Sequence, residues 1–222
     1  VSRDRRPPDA LGAFGASDLA AFWSETRAGL VTVARSPLLL PATAAGVLAS
    51  TGWRIAGTVY LLFVYDELGF SPGTLGMVFA VGGVASFVGA LATPRLAAAV
   101  GSGWSVALGL ALFGISMGVL ALAPGAGAVG LAILIAHQLG DGFEVVLEVN
   151  ASSVCQRITP AGLLGRVAGA GAFAGHGAML LGLAIGGWLG ETIGLRATLV
   201  VAGCFPLAGA LWVALSPLRQ QR

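Results

Sequence analysis

Six stretches of this chain are long and apolar enough to cross a bilayer, and this restricts it to helices. In hydrocarbon a spanning segment has to satisfy its own backbone N–H and C=O groups. The stretches run near Leu38–Tyr65, Thr74–Ala92, Ser105–Leu122, Val129–Val154, Val167–Gly190 and Leu195–Ser216. Short links with turn chemistry join them, among them Ser71-Pro72-Gly73, the Pro94 to Gly103 stretch, Pro124-Gly125, Thr159-Pro160-Ala161-Gly162 and Glu191 to Gly194. Only 10% of the residues are charged, against about 25% in soluble domains. Most of the 35 glycines lie inside the apolar stretches, where small residues let helices approach closely, so the composition excludes a disordered chain. The expectation is an all-α membrane protein with a bundle of six transmembrane helices over residues 36–218.

The flanks read differently. Residues 1–16, with Pro7 and Pro8, read as a cytoplasmic linker, and residues 219–222 as a cytoplasmic tail. Over 17–35 a helix is expected, capped by Ser17 or Asp18, with Leu19, Phe22, Trp23, Leu30 and Val33 recurring against Glu25 and Arg27. Such an amphipathic segment lies along the membrane surface, with Trp23 at headgroup level. The polar run Ser2–Asp9 has no apolar core behind it and is not a signal peptide. Val1 in place of an initiator Met favours a fragment of a longer protein.

All 12 basic residues are arginines. Ten of them (Arg3, Arg5, Arg6, Arg27, Arg35, Arg95, Arg157, Arg166, Arg219 and Arg222) fall on one side of the expected spans. Arg196 alone falls on the other, where Asp66 and Glu67 face outward, and Arg54 lies inside a span. The positive-inside rule then puts both termini in the cytoplasm of a multi-pass protein of the cell (inner) membrane. A net charge of +2 is too small to indicate nucleic acid. Cys155 and Cys204 have neither CxxC spacing nor suitable neighbours, so no disulfide framework, metal site or cofactor is expected.

The fourth span carries His137, Asp141, Glu144 and Glu148 at spacings of four, three and four, which places them on one face of a continuous helix. Acidic groups cost roughly 2.5–3.5 kcal/mol each at the centre of an inserted helix, so this face is expected to border water, a partner or a substrate. A carboxylate there can bind a cation, accept a proton, or do both in competition. Arg54 is too deep to snorkel and needs a counter-charge, with Asp141 or Glu144 as the expected partner; a fixed structural ion pair is the rival reading. His137 can relay protons, or simply be satisfied by a neighbouring carbonyl or by Asp141. Trp53, His176 and Asn150 are further cavity candidates, and Gln156 closes the inner end of the same span. Gly114 and Gly118 form GxxxG, while Gly182, Gly186 and Gly190 form a double one; close helix packing is the ordinary reading.

One loop is more specific. Gln156-Arg157-Ile158-Thr159-Pro160-Ala161-Gly162-Leu163-Leu164-Gly165-Arg166-Val167 resembles the "R-x-x-P…x-G-R-V" loop of the drug, macrolide and siderophore exporters of the major facilitator superfamily. The lead-in Glu25-Thr26-Arg27-Ala28-Gly29-Leu30 and Arg35-Ser36-Pro37-Leu38 is similar to the segment before the seventh span in the same group. The resemblance covers about residues 22–218 and implies the C-terminal half of such a transporter, with a missing N-terminal six-helix half or a second copy as partner. It implies a cavity lined by the first and fourth spans and proton-coupled efflux of small amphipathic molecules rather than an enzymatic reaction. Arg157, Pro160, Gly165 and Arg166 are the matching loop positions. The chain departs from the pattern at Gly101-Ser102-Gly103-Trp104, where exporters often carry a glycine followed by a basic residue.

Two other classes compete with this reading. An intramembrane serine enzyme would need Ser152 or Ser153 beside His176, and no GxSxG elbow accompanies them. A truncated or non-transporting membrane scaffold is the second.

Overall fold

A computed structural model describes residues 16–221. The linker expected before them, the side-chain cap expected from Ser17 or Asp18, and Arg3, Arg5, Arg6 and Arg222 lie outside what is described. The described residues are almost entirely helical, with no strand among them. A first helix, α1 (Ala16–Arg35), precedes α2 (Leu39–Leu62), α3 (Pro72–Val100), α4 (Ser102–Leu120), α5 (Ala128–Gln138), α6 (Gly140–Ile158), α7 (Leu164–Ile193) and α8 (Leu195–Leu215). Six helical segments are long and apolar enough to span a membrane, with α5 and α6 together making the fourth. The protein is a multi-pass, all-helical membrane protein.

Three departures from the expected boundaries have local causes. The link expected over Pro94 to Gly103 is instead helical: α3 runs through Pro94 to Val100, and the turn is made by Gly101 alone. At φ +89° Gly101 occupies a conformation that suits glycine, which has no Cβ. Gly194 makes the α7–α8 turn in the same way, at φ +83°. The first span ends in a π-helical turn, Phe63–Glu67, that buries Phe63 and Val64 completely. The fourth span is not one continuous helix, because it is interrupted at Leu139, whose carbonyl accepts the Gly142 N–H at 3.2 Å.

The packing has an internal order. If the spans form triples, α2, α3 and α4 are the first, and α5–α6, α7 and α8 the second. The first member of each triple packs on the second and third members of the other: α2 on α7 and α8, and α6 on α3 and α4. The third members, α4 and α8, pack extensively on each other, and the first members, α2 and α6, also touch. The single-glycine turns Gly101 and Gly194 occupy equivalent places, linking the second and third members of their triples. Three crossings bring the chain to the opposite side, so the second triple runs inverted relative to the first.

Small residues set the closest approaches. A Cβ on Gly182 would lie 2.9 Å from the Thr51 carbonyl oxygen, and one on Gly186 would lie 2.8 Å from that of Ile55. The double GxxxG of α7 is thus the contact face for α2. At another contact between the triples, Gly142 of α6 meets the Ala85 carbonyl of α3 in the same manner.

Helix α1 packs on α7 through small residues and Val33 of the expected apolar stripe, while the rest of that stripe faces outward. Thr26, Gly29 and Val33 are buried, whereas Leu19, Phe22, Trp23 and Leu30 remain exposed. The physical reason is size: Gly29 abuts the Arg166 backbone, an approach that a larger residue would prevent. Trp23 meets Phe173 edge to face at 5.5 Å. The exposed apolar stripe beside this contact suits a lipid-facing surface.

At the opposite end from α1, Arg196 ties three elements together. It pairs with Glu67 at 2.9 Å, donates to the carbonyls of Ala121 (2.8 Å) and Ala123 (2.7 Å), and stacks over Phe63 at 5.0 Å. Both charged groups are partly exposed, so the ion pair itself contributes at most about 1 kcal/mol. The charge-assisted bonds to two helix-end carbonyls matter more, at about 1.5–3 kcal/mol each before solvent competition. Arg196→Ala is therefore expected to destabilise the bundle by about 2–3 kcal/mol in detergent unfolding, and Glu67→Gln by less than about 1 kcal/mol. Equal effects would assign the stabilisation to the ion pair instead.

Candidate functional site

A cavity of about 730 Å³ lies where α2, α6 and α7 meet. Each helix contributes residues at three- and four-residue spacing, so one face of each lines it. From α2 come Thr43, Gly46, Val47, Ser50, Trp53 and Arg54; from α6 come Glu144, Leu147, Glu148, Ala151, Ser152 and Cys155. From α7 come Val167, Ala168, Gly171, Gly175, His176 and Met179. These positions fall in the first half of α2, the second half of α6 and the first half of α7. The cavity therefore lies toward the end of the bundle that carries Arg35, Arg157 and Arg166, away from Arg196.

Its charged residues are Glu144 and Arg54, both half-buried, and the exposed Glu148. The ion pair expected between Arg54 and Asp141 or Glu144 is not made: among the described residues no carboxylate oxygen lies within 4 Å of the Arg54 guanidinium. Arg54 and Glu144 instead remain separate charges in one cavity. Two carboxylates against one guanidinium, together with the Trp53 ring and the apolar Val47, Leu147 and Met179, make a surface suited to a bulky molecule that carries positive charge.

Three expected members of the acidic face or the cavity do not line it. His137 belongs to α5, before the interruption at Leu139, and is 3% exposed. Its Nδ1 lies 3.2 Å from the Ser116 carbonyl oxygen, and its ring lies 5.6 Å from that of Tyr60. Asn150 is also 3% exposed, and its Nδ2 donates to the Val146 carbonyl at 2.9 Å. It falls about 240° around the helix from Glu144, toward the interior. Asp141 shares the helix of Glu144 but lies beyond the cavity, against Gly82 of α3.

His176 does line the cavity, with Nδ1 2.7 Å from the Ala172 carbonyl oxygen one turn back. The serine–histidine arrangement of an intramembrane enzyme is not formed among the described residues. Ser152 Oγ accepts from Gln156 Nε2 at 3.2 Å, and Ser153 Oγ donates to the Val149 carbonyl at 2.7 Å. Nor does any group of three or more His, Cys, Asp or Glu able to hold a metal occur among the described residues.

No family model and no curated protein matches this sequence. The site therefore has to be read from its geometry. The loop that carries the resemblance closes the arginine-rich end: Pro160 leads into a 3₁₀ turn, Ala161–Leu163, ahead of α7. Arg157, in the last turn of α6, donates to Ser102 Oγ at 3.1 Å, at the segment where the chain departs from the exporter pattern. Arg166 lies in the first turn of α7 and presents its backbone carbonyl to Gly29. Gly165 has open space on its Cβ side.

Sequence reasoning missed the α2 wall formed by Thr43, Gly46 and Ser50, although its small and polar residues recur at helical spacing. It also missed Cys155, which lines the cavity half-buried while Cys204 is exposed on α8. Thiol alkylation needs thiolate, hence water. Cys204, exposed midway along α8, meets lipid rather than water in a nanodisc, so a water-soluble maleimide is expected to label Cys155 on the cavity wall at least ~10-fold faster. Comparable rates, read by mass spectrometry, would mean that the cavity is not hydrated.

Proposed function

We propose that the chain is one six-helix half of a secondary transporter of the major facilitator type, and that the α2–α6–α7 cavity forms its wall of the substrate site. The observation that carries this reading is a charged cavity where the first and fourth spans meet, within two inverted triples. Nested three-plus-three inverted repeats, with substrate bound near the middle of the membrane between them, are the architecture of that superfamily. The loop Arg157-Ile158-Thr159-Pro160 to Gly165-Arg166-Val167 supports the same assignment.

By arginine placement, both termini face the cytoplasm of the cell membrane. The cavity then lies toward the inner side, where an exporter collects its cargo, and the Arg196–Glu67 contact lies on the outer side. Amphipathic small molecules are the substrates, and a proton gradient drives their efflux. A complementary six-helix half, or a second copy, supplies the other wall.

The test is transport in proteoliposomes. The chain alone is expected to be inactive, and the chain with a complementary half is expected to move an amphipathic cation such as tetraphenylphosphonium only under an imposed pH gradient. Transport that ignores the gradient would remove proton coupling. Failure of the chain to bind the cation at all would remove the substrate site.

A further inference from the structure

Two walls of the cavity have opposite hydrogen-bonding character. On α2, Thr43, Ser50 and Arg54 stand seven and four residues apart, which puts them within about 40° of one another around the helix. All three can donate. Other hydroxyls in the helices are spent on a carbonyl one turn back, as at Thr51, Thr58 and Thr93. Those of Thr43 and Ser50 are not, and neither they nor the Arg54 guanidinium have a hydrogen-bond partner among the described residues. Gly182 of α7 lies against Arg54 Cβ, where a side chain would collide, so the stem of Arg54 is seated on α7 while its charged end belongs to the cavity.

The α6 wall is the converse. Glu144 and Glu148 stand one turn apart, and ionised carboxylates only accept. Neither is bonded to a described residue. Water can satisfy both walls while the cavity is open. A molecule that fills it expels that water and has to replace it at both walls, because a desolvated charge left without a partner is costly. A plain cation satisfies α6 and strands Arg54; a plain anion satisfies Arg54 and strands the carboxylates. Only a molecule with both charges leaves neither wall unpaired.

We propose that the cavity selects amphoteric molecules, seating an ammonium group against Glu144 and Glu148 and a carboxylate or similar small anion against Arg54, Ser50 and Thr43. Trp53, beside Arg54 in the wall, offers its ring to the apolar body or the cationic group. A site with polar groups placed for both ends of a ligand discriminates strongly against one that lacks either end. That such molecules are transported rests on the transporter reading, whereas the binding preference is a property of the chain itself.

The test is equilibrium binding by calorimetry to the full chain in nanodiscs, with three probes that share one naphthyl group. They are the N,N,N-trimethyl betaine of 2-naphthylalanine, the methyl ester of that betaine, and N-acetyl-2-naphthylalanine. The positive charge of the first two is permanent, so only the carboxylate distinguishes them. The betaine is expected to bind at least ~10-fold more tightly than either the ester or the N-acetyl acid. Arg54→Gln should bring the betaine down to the affinity of the ester, and Arg54→Lys should restore most of the difference, which separates loss of the charge from misfolding. Equal binding of betaine and ester, a preference that survives Arg54→Gln, or one that Arg54→Lys fails to restore overturns the proposal and leaves the cation site at Glu144 standing. If none of the probes binds, nor tetraphenylphosphonium, the substrate site falls and this inference with it. Absence of transport with every complementary half would overturn the transporter reading alone and leave the binding preference in place.

Discussion

Glu144→Gln is expected to weaken binding of tetraphenylphosphonium by at least ~30-fold and to abolish its proton-driven transport in the assembled, two-half protein. Glu144 is half-buried in the cavity wall, with its nearest basic neighbour, Arg54, not in contact. Losing one partner of a desolvated charge pair costs about 2–5 kcal/mol, and each 1.4 kcal/mol is tenfold in affinity. Glu148→Gln is expected to do less, because Glu148 is exposed and water screens it. Equilibrium binding to the nanodisc-embedded chain measures both. Wild-type affinity in Glu144→Gln would remove the carboxylate from the substrate site.

The second large effect concerns the α7–α2 contact. Gly182→Ile would place a branched side chain 2.8 Å from Arg54 Cβ and 2.9 Å from the Thr51 carbonyl oxygen. Gly186→Ile would do the same against Ile55 O (2.8 Å) and Cα (3.0 Å). Backbone atoms of a packed helix cannot step aside, so α7 has to move off α2. The expected cost is about 1–3 kcal/mol for each variant, with the double variant failing to form the bundle. Gly187, next along α7, has nothing within 4 Å, and Gly187→Ile is the control, expected within about 0.5 kcal/mol of wild type. Thermal unfolding in detergent compares the three. Equal tolerance would mean that α7 is not seated on α2 through its glycines.

The six spans were legible because a segment that crosses a membrane declares itself by length and apolarity alone. Their ends were less so. Pro94 reads as a stop, yet a helix protected by its neighbours accepts it, and only Gly101 actually turns the chain. The acidic face was partly legible. Ideal helical spacing places Glu144 and Glu148 correctly on one cavity-lining face, but the same spacing also assigns to it Asp141, which lies against α3, and His137, which belongs to α5 and is buried against Ser116. Nor can spacing along one helix reveal Gly82 of α3, the residue against which Asp141 lies, because that contact joins positions far apart in sequence. The Arg54 expectation shows the same limit: equal depth in two spans does not fix a distance between side chains.

The two one-residue links, Gly101 and Gly194, leave their helices no slack. Helix α3 cannot shift that end without carrying the start of α4 with it, and α7 cannot without the start of α8. Any change in the shape of the cavity then has to arise where these helices meet α2 and α6. Those are the seams where Gly182, Gly186 and Gly142 lie against bare backbone, surfaces smooth enough for one helix to slide on another.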